Sequence, residues 1–340
     1  MKRRKFLPFV ATLPAAAAVA ALPATAEATT SSDREVLPGQ DIQAALDAGA
    51  GRVVLAPGVH TLHQPLQMRR HRWLSGSYGA TTLRAGGTLP TMLEVGGGGP
   101  IDRWKITDLM IDARNADTGI DINVVGSTGN AGGEPDSQGR IEDVVIGDAA
   151  VQGIWYRGRD AQAIITRGVR VRRAGVHAYR AENADSWWSD CEGTTSGSTG
   201  AGFLVTGSNL SFEHCKAWYC RQYGWQIRGV RNTFTGCASQ DTRSHGWRIE
   251  YEQNTFTGCS ADTAAAAAVG GAPGGADGFY VTPNTRVALT GCLAYDRRPG
   301  NPQPPPQQRY GFNVPQALAD AGLLVACTGW DNLTALINKR

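Results

Sequence analysis

One sequence pattern recurs three times between residues 202 and 261, as GFLVTGSNLSFEHCKA, GWQIRGVRNTFTGCAS and GWRIEYEQNTFTGCSA. Its leading glycines, Gly202, Gly224 and Gly246, lie 22 residues apart, and its cysteines keep the same interval. A fixed period this short predicts a stacked-repeat architecture, because one unit cannot bury its apolar face without its neighbours.

The composition and the pattern inside each repeat predict an all-β fold. Glycine accounts for 43 of 340 residues, and helix-length apolar periodicity is largely missing, as expected of many short strands joined by turns. Alternation predicts three strands per repeat, with Trp225 in the Gly-led first strand, Phe234 in the second and Cys237 in the third all pointing inward. Asparagine, which favours left-handed turns, recurs after the first strand, at Asn209, Asn232, Asn254 and Asn284.

The beginning of the mature chain identifies the fold more closely. Residues 41–49 (DIQAALDAG) read as a short amphipathic helix, and residues 51–62 (GRVVLAPGVHTL) as two strands around a Pro-Gly turn. This order resembles the start of the pectate-lyase-like right-handed parallel β-helix superfamily, in which a helix caps the open end of the coil. The resemblance implies that residues 29–340 form a single right-handed parallel β-helix domain, with about ten rungs of roughly 22 residues and three strands per rung.

Residues 1–28 have the features of a signal peptide. They combine a basic start, a short alanine-rich apolar stretch and small-residue cleavage sites. Arg3-Arg4-Lys5-Phe6-Leu7 resembles a twin-arginine leader, which implies a secreted protein and the twin-arginine export machinery as a partner. Without these residues the chain has no net charge, so we expect neither nucleic acid as a partner nor membrane association after processing.

Cysteine and aspartate usage bears on disulfides and metals. Cys220 stands outside the repeat, so a local bond to Cys215 is an open alternative, whereas the other cysteines read as small buried side chains. No CxxC pair is present, and we predict no metal cofactor, with calcium on turn aspartates as an alternative. The repeat cysteines are Cys191, Cys215, Cys237, Cys259, Cys292 and Cys327. The aspartates considered for calcium are Asp108, Asp112, Asp117 and Asp121.

The outward positions of the Gly-led strands form the candidate functional face. They are rich in Arg, Tyr, His, Gln and Asn, which bind sugar rings and carboxylates. Two loops that lengthen the repeat, residues 264–276 and 297–308, are predicted to rise along one edge of this face. Counting from Gly175 places His177 in the same column as Gln226 and Arg248. The predicted substrate-binding residues are Tyr223, Gln226, Arg228, Arg243, Glu250, Tyr310, Asn313 and His177.

The same face offers groups for β-elimination on a uronate-containing polysaccharide. Such a reaction needs a cation for the carboxylate, a base for the neighbouring proton and an acid for the leaving oxygen. Arg248 fits the first role and Tyr280 the third. His245 is the predicted base, with Asp277 one rung away to orient it. We therefore expect an enzyme, a polysaccharide lyase.

Other functions fit the same scaffold. A glycoside hydrolase would need two carboxylates about 5 to 9.5 Å apart, but Glu250 and Asp277 are predicted to lie about 17 Å apart, so Asp262 or Glu252 would have to contribute. A uronate epimerase and a non-catalytic glycan-binding or adhesive β-helix are further alternatives. The sequence leaves open whether the protein is a monomer or a spike-like homotrimer.

Overall fold

The computed structural model describes residues 33–49, 51–125, 138–158, 160–296 and 306–340. Within these residues the chain forms three β-sheets, with neighbouring strands parallel in every pair. The predicted leader, residues 126–137 and most of the predicted loop at 297–308 lie outside the described residues.

The three sheets correspond to the three predicted strands of each repeat. Sheet 1 contains 11 strands, sheet 2 contains 12 and sheet 3 contains 10. Sheet 1 comprises Leu66–Gln67, Leu89–Gly99, Ala116–Val124, Gln152–Arg157, His177–Ala181, Ala201–Val205, Tyr223–Ile227, Trp247–Ile249, Phe279–Val281, Tyr310–Val314 and Ala335–Lys339. Sheet 2 comprises Arg34–Val36, Arg52–Leu55, Trp73–Ser75, Lys105–Thr107, Arg140–Glu142, Ile165–Arg167, Trp187–Ser189, Ser211–Glu213, Thr233–Thr235, Asn254–Thr257, Val287–Thr290 and Leu324–Val325. Sheet 3 comprises Gly58–Leu62, Thr81–Ala85, Met110–Asp112, Val145–Gly147, Arg170–Ala174, Glu192–Thr195, Lys216–Trp218, Ala238–Thr242, Ser260–Ala264 and Leu293–Tyr295.

The chain passes from sheet 1 to sheet 2 to sheet 3 and then begins the next rung, as the repeat predicts. In the second half of the described coil, aromatic side chains stack on one another from rung to rung in the interior between the sheets. The Trp225 and Trp247 rings stack at 4.7 Å, and so do those of Phe234 and Phe256. Trp225 also meets Phe234 edge-on at 5.7 Å. These contacts join successive rungs into one core.

Short helices lie near both ends of the described coil. Helix α1 (Ile42–Asp47) buries Ile42, Ala45 and Leu46, and its Asp41 N-cap accepts the Ala44 N–H at 2.9 Å, which confirms the predicted capping helix. A single 3₁₀ turn spans Ala267–Val269, and helix α2 (Gln316–Asp320) follows the strand Tyr310–Val314. No helix in the described ranges is long and apolar enough to cross a membrane.

The predicted register at Gly175 is wrong. Tyr179 pairs with Phe203, so Ala178 and not Gly175 occupies the place of the repeat glycine. That place faces sheet 3 at close range, since a Cβ on Gly202 would lie 2.7 Å from that of Ala217. Ala178 fits because the facing residue there is Gly193, whose own Cβ would lie 2.9 Å from that of Ala178. On this rung the glycine is Gly193 on sheet 3, and the larger Ala178 takes the glycine position on sheet 1.

The recurring asparagines do not share one role. Asn209 and Asn284 have the predicted left-handed backbone, with φ of 57° and 63°. Asn232 and Asn254 are instead buried, each directly after a left-handed residue, and Asn232 donates to the Gly207 carbonyl and accepts the Leu210 N–H. The Asn254 carboxamide oxygen accepts the Asn232 N–H, which links two rungs.

All seven cysteines are free, and Cys220 is buried apart from the ladder of repeat cysteines. The open alternative of a Cys215–Cys220 bond is therefore not realised. Burial raises the pKa of the Cys220 thiol to about 12. The thiolate, which is the reactive form, is thus disfavoured at this position.

Candidate functional site

The outward positions of sheet 1 form columns that run along the coil. Parallel strands lie about 4.8 Å apart, so successive members of a column are direct neighbours. The main column contains Asp121, Trp155, Arg180, Leu204, Gln226, Arg248, Tyr280 and Asn313. Arg180 takes the position that the sequence analysis gave to His177. His177 instead pairs with Gln152, in the column that precedes the repeat glycine.

A carboxylate organises the centre of this face. Glu250 accepts hydrogen bonds from Arg248 Nε at 2.7 Å, Gln226 Nε2 at 2.8 Å and Arg228 Nε at 3.2 Å. The glutamate side chain is only 17 % exposed. Because one carboxylate binds two guanidinium groups, the cluster keeps a net positive charge, and the remaining guanidinium N–H groups are held in fixed directions.

Five of the predicted substrate-binding and catalytic residues line one open cavity of about 320 Å³. Arg248 Nη1 lies 2.6 Å from the Tyr223 hydroxyl, and the guanidinium also packs over the Tyr223 ring. Leu204 supplies an apolar wall. A small cavity with a few convergent polar groups on an apolar and aromatic surface is typical of ligand sites. The predicted residues at this cavity are His177, Tyr223, Gln226, Arg228 and Arg248.

His245 lies beside this cavity in a stack of rings. Its imidazole is 6.1 Å from the Tyr223 ring and 4.5 Å from the Tyr280 ring, measured between centroids. His245 Nδ1 accepts the backbone N–H of Asp277 at 3.0 Å, so Nε2 carries the hydrogen. Burial lowers the pKa of His245 to about 4, despite the opposing effect of the Asp277 carboxylate. The geometry favours a neutral hydrogen-bond donor over the predicted general base.

The Asp277 carboxylate does not orient His245 as predicted. It is fully buried and receives a bidentate pair of hydrogen bonds from Arg309, at 2.8 and 2.7 Å, and another from Asn313 at 2.9 Å. Its oxygen is 3.7 Å from His245 Nδ1. Asp277 therefore positions the histidine through its backbone N–H, while its side chain anchors Arg309.

The remaining predicted residues lie around these two groups. Tyr280 packs against the Arg340 guanidinium, which is 4.5 Å from its ring centroid, and Arg340 also donates to Asn313 Oδ1. Tyr310 lies under Arg309. Arg243 is exposed in the turn that leads into the strand Trp247–Ile249.

Arg180 and Glu182 are not among the predicted site residues, because the register taken from Gly175 displaced that rung. The signal was present in the sequence. Residues 177–182 read HAYRAE and residues 245–250 read HGWRIE, so His, Arg and Glu recur with the same spacing.

Metal ligands are not grouped in the described ranges of the chain: no three His, Cys, Asp or Glu side chains there are arranged to hold an ion. The loop at 264–276 contacts the other long loop where both are described, since Gln307 Oε1 accepts the Ala267 N–H and Gln308 Oε1 the Ala264 N–H. The described parts of both loops thus lie on one edge of the coil, as predicted.

Comparison with known proteins defines the class of the fold. The family described as "Right handed beta helix region" matches residues 133–285. The A-module of the mannuronan C-5 epimerase AlgE4 from Azotobacter vinelandii superimposes with a TM-score of 0.61 at 15 % identity, over 87 % of this chain and 92 % of that one. The chain is thus a right-handed parallel β-helix protein.

Two other solved structures share this fold. The enzymatically active domain of tailspike protein 2 from bacteriophage CBA120 gives a TM-score of 0.58 at 14 % identity, over 78 % of this chain and 42 % of that one. The catalytic domain of a GH87 α-1,3-glucanase, solved with tetrasaccharides, gives 0.57 at 11 % identity, over 93 % and 68 %. At these identities the likeness concerns the fold alone. No curated protein matches the sequence.

Proposed function

We propose that this chain is a secreted carbohydrate-active enzyme that cleaves an acidic, uronate-containing polysaccharide by β-elimination at the sheet 1 cavity. The observation that carries the proposal is the convergence of Arg228, Arg248 and Tyr223 on one open cavity. Two guanidinium groups beside a phenol match the carboxylate and the ring of a uronate. The mannuronan C-5 epimerase and the α-1,3-glucanase, which share the fold, are both named for polysaccharide substrates.

Each step of β-elimination finds a group in this cavity. Arg248 neutralises the uronate carboxylate, which makes the proton on the neighbouring carbon more acidic. The Tyr223 oxygen, which Arg248 fixes at 2.6 Å, accepts that proton while the hydroxyl hydrogen of Tyr223 passes to the leaving glycosidic oxygen, so the phenol ends the step protonated as it began. The C–H bond and the bond to the leaving glycosidic oxygen break, a carbon–carbon double bond forms, and the oxygen leaves protonated. His177 Nε2 carries a hydrogen and donates to the substrate, because His177 Nδ1 accepts the Ala201 N–H.

The geometry gives less support to hydrolysis. The predicted pair would use Glu250 and Asp277, but Asp277 is fully buried beneath Arg309 and Glu250 is held by three side chains. Asp262 lies in the strand Ser260–Ala264 of sheet 3, away from the sheet 1 face. Epimerisation shares the proton abstraction with elimination, and only the fate of the resulting carbanion separates the two reactions.

The test is an assay of residues 29–340 against a panel of uronate polymers, read by absorbance of the unsaturated product and by product mass. We expect absorbance with at least one polymer, and its loss in Arg248→Ala. Arg286→Ala is the matched control, since Arg286 is an exposed arginine outside the cavity, and it should retain activity. Products whose mass has increased by one water would show that the reaction is hydrolysis and not elimination. Binding without any product would show that the chain is a glycan-binding module. Neither binding nor product with any polymer would overturn the proposal.

We also propose that the twin-arginine machinery exports the protein and that the exported protein is a monomer or a homotrimer. Fusion of residues 1–28 to a reporter that folds in the cytoplasm tests the first, and arginine-pair substitution should abolish its export. Size-exclusion chromatography with light scattering decides the second.

A further inference from the structure

The face of sheet 1 carries the same three-residue cluster twice. In the first module, His177, Arg180 and Glu182 lie on one strand and the residue that follows it. In the second module, His245, Arg248 and Glu250 occupy the corresponding positions three strands further along.

The two modules share their internal contacts. Arg Nε donates to Glu Oε1 at 2.7 Å in both, from Arg180 to Glu182 and from Arg248 to Glu250. Each histidine accepts, at Nδ1 and 3.0 Å, the backbone N–H of the residue beside it on the following rung. Burial lowers the pKa of both histidines to about 4. Each module therefore presents a neutral imidazole Nε2–H and a guanidinium with a fixed orientation.

The strand that precedes each module supports its glutamate in the same way. Trp155 Nε1 donates to Glu182 at 3.0 Å, and Gln226 Nε2, in the same column, donates to Glu250 at 2.8 Å. An arginine follows two positions later in both strands, as Arg157 and Arg228. Its role differs: Arg228 binds Glu250, whereas Arg157 packs over the Trp155 ring at 4.1 Å and pairs with Asp121.

Beside the first module, in the part of the chain that the structure describes, Gln152 has a buried side-chain oxygen without a hydrogen-bond partner. Gln152 pairs in register with His177, as Tyr223 lies beside His245 in the second module. The Tyr223 hydroxyl bonds to Arg248, but Gln152 Oε1 is buried with no hydrogen-bond partner among the described residues. A buried acceptor of this kind gains free energy when a ligand hydroxyl or amide supplies a donor.

We propose that Arg180, held by Glu182, forms a second anion-binding subsite, that His177 lies between this subsite and the cavity that contains Arg248, and that one linear acidic polysaccharide binds both arginines at once. The modules lie in the same columns, separated by three strand steps of about 4.8 Å, or about 14 Å. Their donors point the same way from one sheet face, so two carboxylates of a chain laid along the coil reach both. This inference rests on the proposed function, since it takes the same class of ligand.

Binding of size-fractionated oligomannuronate, oligoguluronate and oligogalacturonate to residues 29–340, measured by titration calorimetry, tests the inference. Oligomers too short to span about 14 Å should bind with two molecules per chain. Longer oligomers should bind with one molecule per chain and at least about 10²-fold more tightly, because the second contact is then intramolecular. Arg180→Ala should reduce the short-oligomer stoichiometry to one and remove the gain in affinity with length.

Arg180→Lys and Arg286→Ala serve as controls. The lysine keeps the charge but loses the paired N–H geometry, so we expect it to retain part of the length dependence. Arg286→Ala should leave it unchanged. A single binding event at every length, sensitive to Arg248→Ala but not to either Arg180 substitution, would overturn the second subsite and leave the proposed function intact. Failure of the wild-type chain to bind any acidic oligomer would overturn both.

Discussion

The inward and outward positions of the same strands differ in how faithfully they repeat. On the strands Tyr223–Ile227 and Trp247–Ile249, the inward residues are the same, with Trp225 stacked on Trp247 at 4.7 Å. The outward residue between them changes from Gln226 to Arg248. The interior of successive rungs needs flat rings that stack, whether identical or not, since Phe203 also stacks on Trp225 at 4.0 Å, whereas the outward residues of sheet 1 differ in charge and polarity.

Solvent exposure alone does not explain that variation. On sheet 2 the outward positions of the same rungs also repeat, with Thr233 beside Thr255 and Thr235 beside Thr257. Threonine suits an exposed strand. On these two rungs sheet 1 therefore varies where sheet 2 does not, and Arg, Tyr, His and Gln of sheet 1 surround the cavity.

The largest expected effect on folding comes from the interior. Phe234→Ala removes a fully buried ring that stacks on Phe212 and Phe256. We expect the free energy of unfolding to fall by about 3 to 5 kcal/mol, from lost burial and the cavity left behind. Denaturant unfolding followed by circular dichroism measures it. A loss below about 1 kcal/mol would mean that the stack does not hold the rungs together.

The buried histidine links the site to pH. The pKa of His245 is lowered to about 4 in the fold, against 6.5 when exposed. Below pH 6.5 the unfolded chain therefore binds a proton that the folded chain does not, and stability falls as the pH drops toward 4. The fall is at most about 3 kcal/mol. The pH dependence of unfolding for wild type and His245→Asn should differ by this amount across that window, and equal curves would refute the buried neutral state.

The buried asparagines Asn232 and Asn254 should contribute less to the free energy of unfolding than the stacked aromatic rings. Asn232→Ala removes a bond to the Gly207 carbonyl and leaves the Leu210 N–H without its acceptor. We expect a loss of about 1 to 3 kcal/mol in denaturant unfolding. Asn209→Ala, at an exposed turn position with a left-handed backbone, is the comparison. If Asn209→Ala were the more harmful of the two, the distinction between the buried and the turn asparagines would fail.

We expect the smallest effect on stability at the outward threonines of sheet 2. Thr255→Ala on sheet 2 removes an exposed side chain whose hydroxyl contact, to Thr233, is 3.5 Å long. Stability should change by no more than about 0.5 kcal/mol, and binding of acidic polysaccharide should be unaffected. Impaired binding in this variant, measured by retention on an immobilised polymer, would move the ligand face away from sheet 1.

The repeat explains why so much of the fold was predictable. Phe234, Cys237 and Trp225 recur at a constant interval, so their columns and the three sheets follow from counting. The count failed at Gly175, where a glycine stands 22 residues after Gly153 although the structural equivalent is Ala178. Alanine fits at position 178 only because the facing residue on sheet 3, Gly193, has no side chain, and this contact is seen only in the structure.

The candidate site was less predictable because its chemistry depends on contacts between distant residues. The columns placed Gln226 and Arg248 side by side, as the structure does. The proton position on His245 could not be predicted, since it depends on the backbone N–H of Asp277, 32 residues later. Arg309 donates hydrogen bonds to the Asp277 carboxylate. It follows the loop at 297–308, and the earlier repeats have no arginine at the equivalent position.

The most direct test of the account measures function and stability together in Arg248→Ala. Its guanidinium is about one-third exposed and binds Glu250 and Tyr223 at the surface, so unfolding should change by no more than about 1 kcal/mol. Formation of unsaturated product from the best uronate polymer should fall by about 10² to 10³-fold, as for loss of a charge-stabilising donor. Full activity in a folded Arg248→Ala protein would contradict the assignment of function to the sheet 1 cavity.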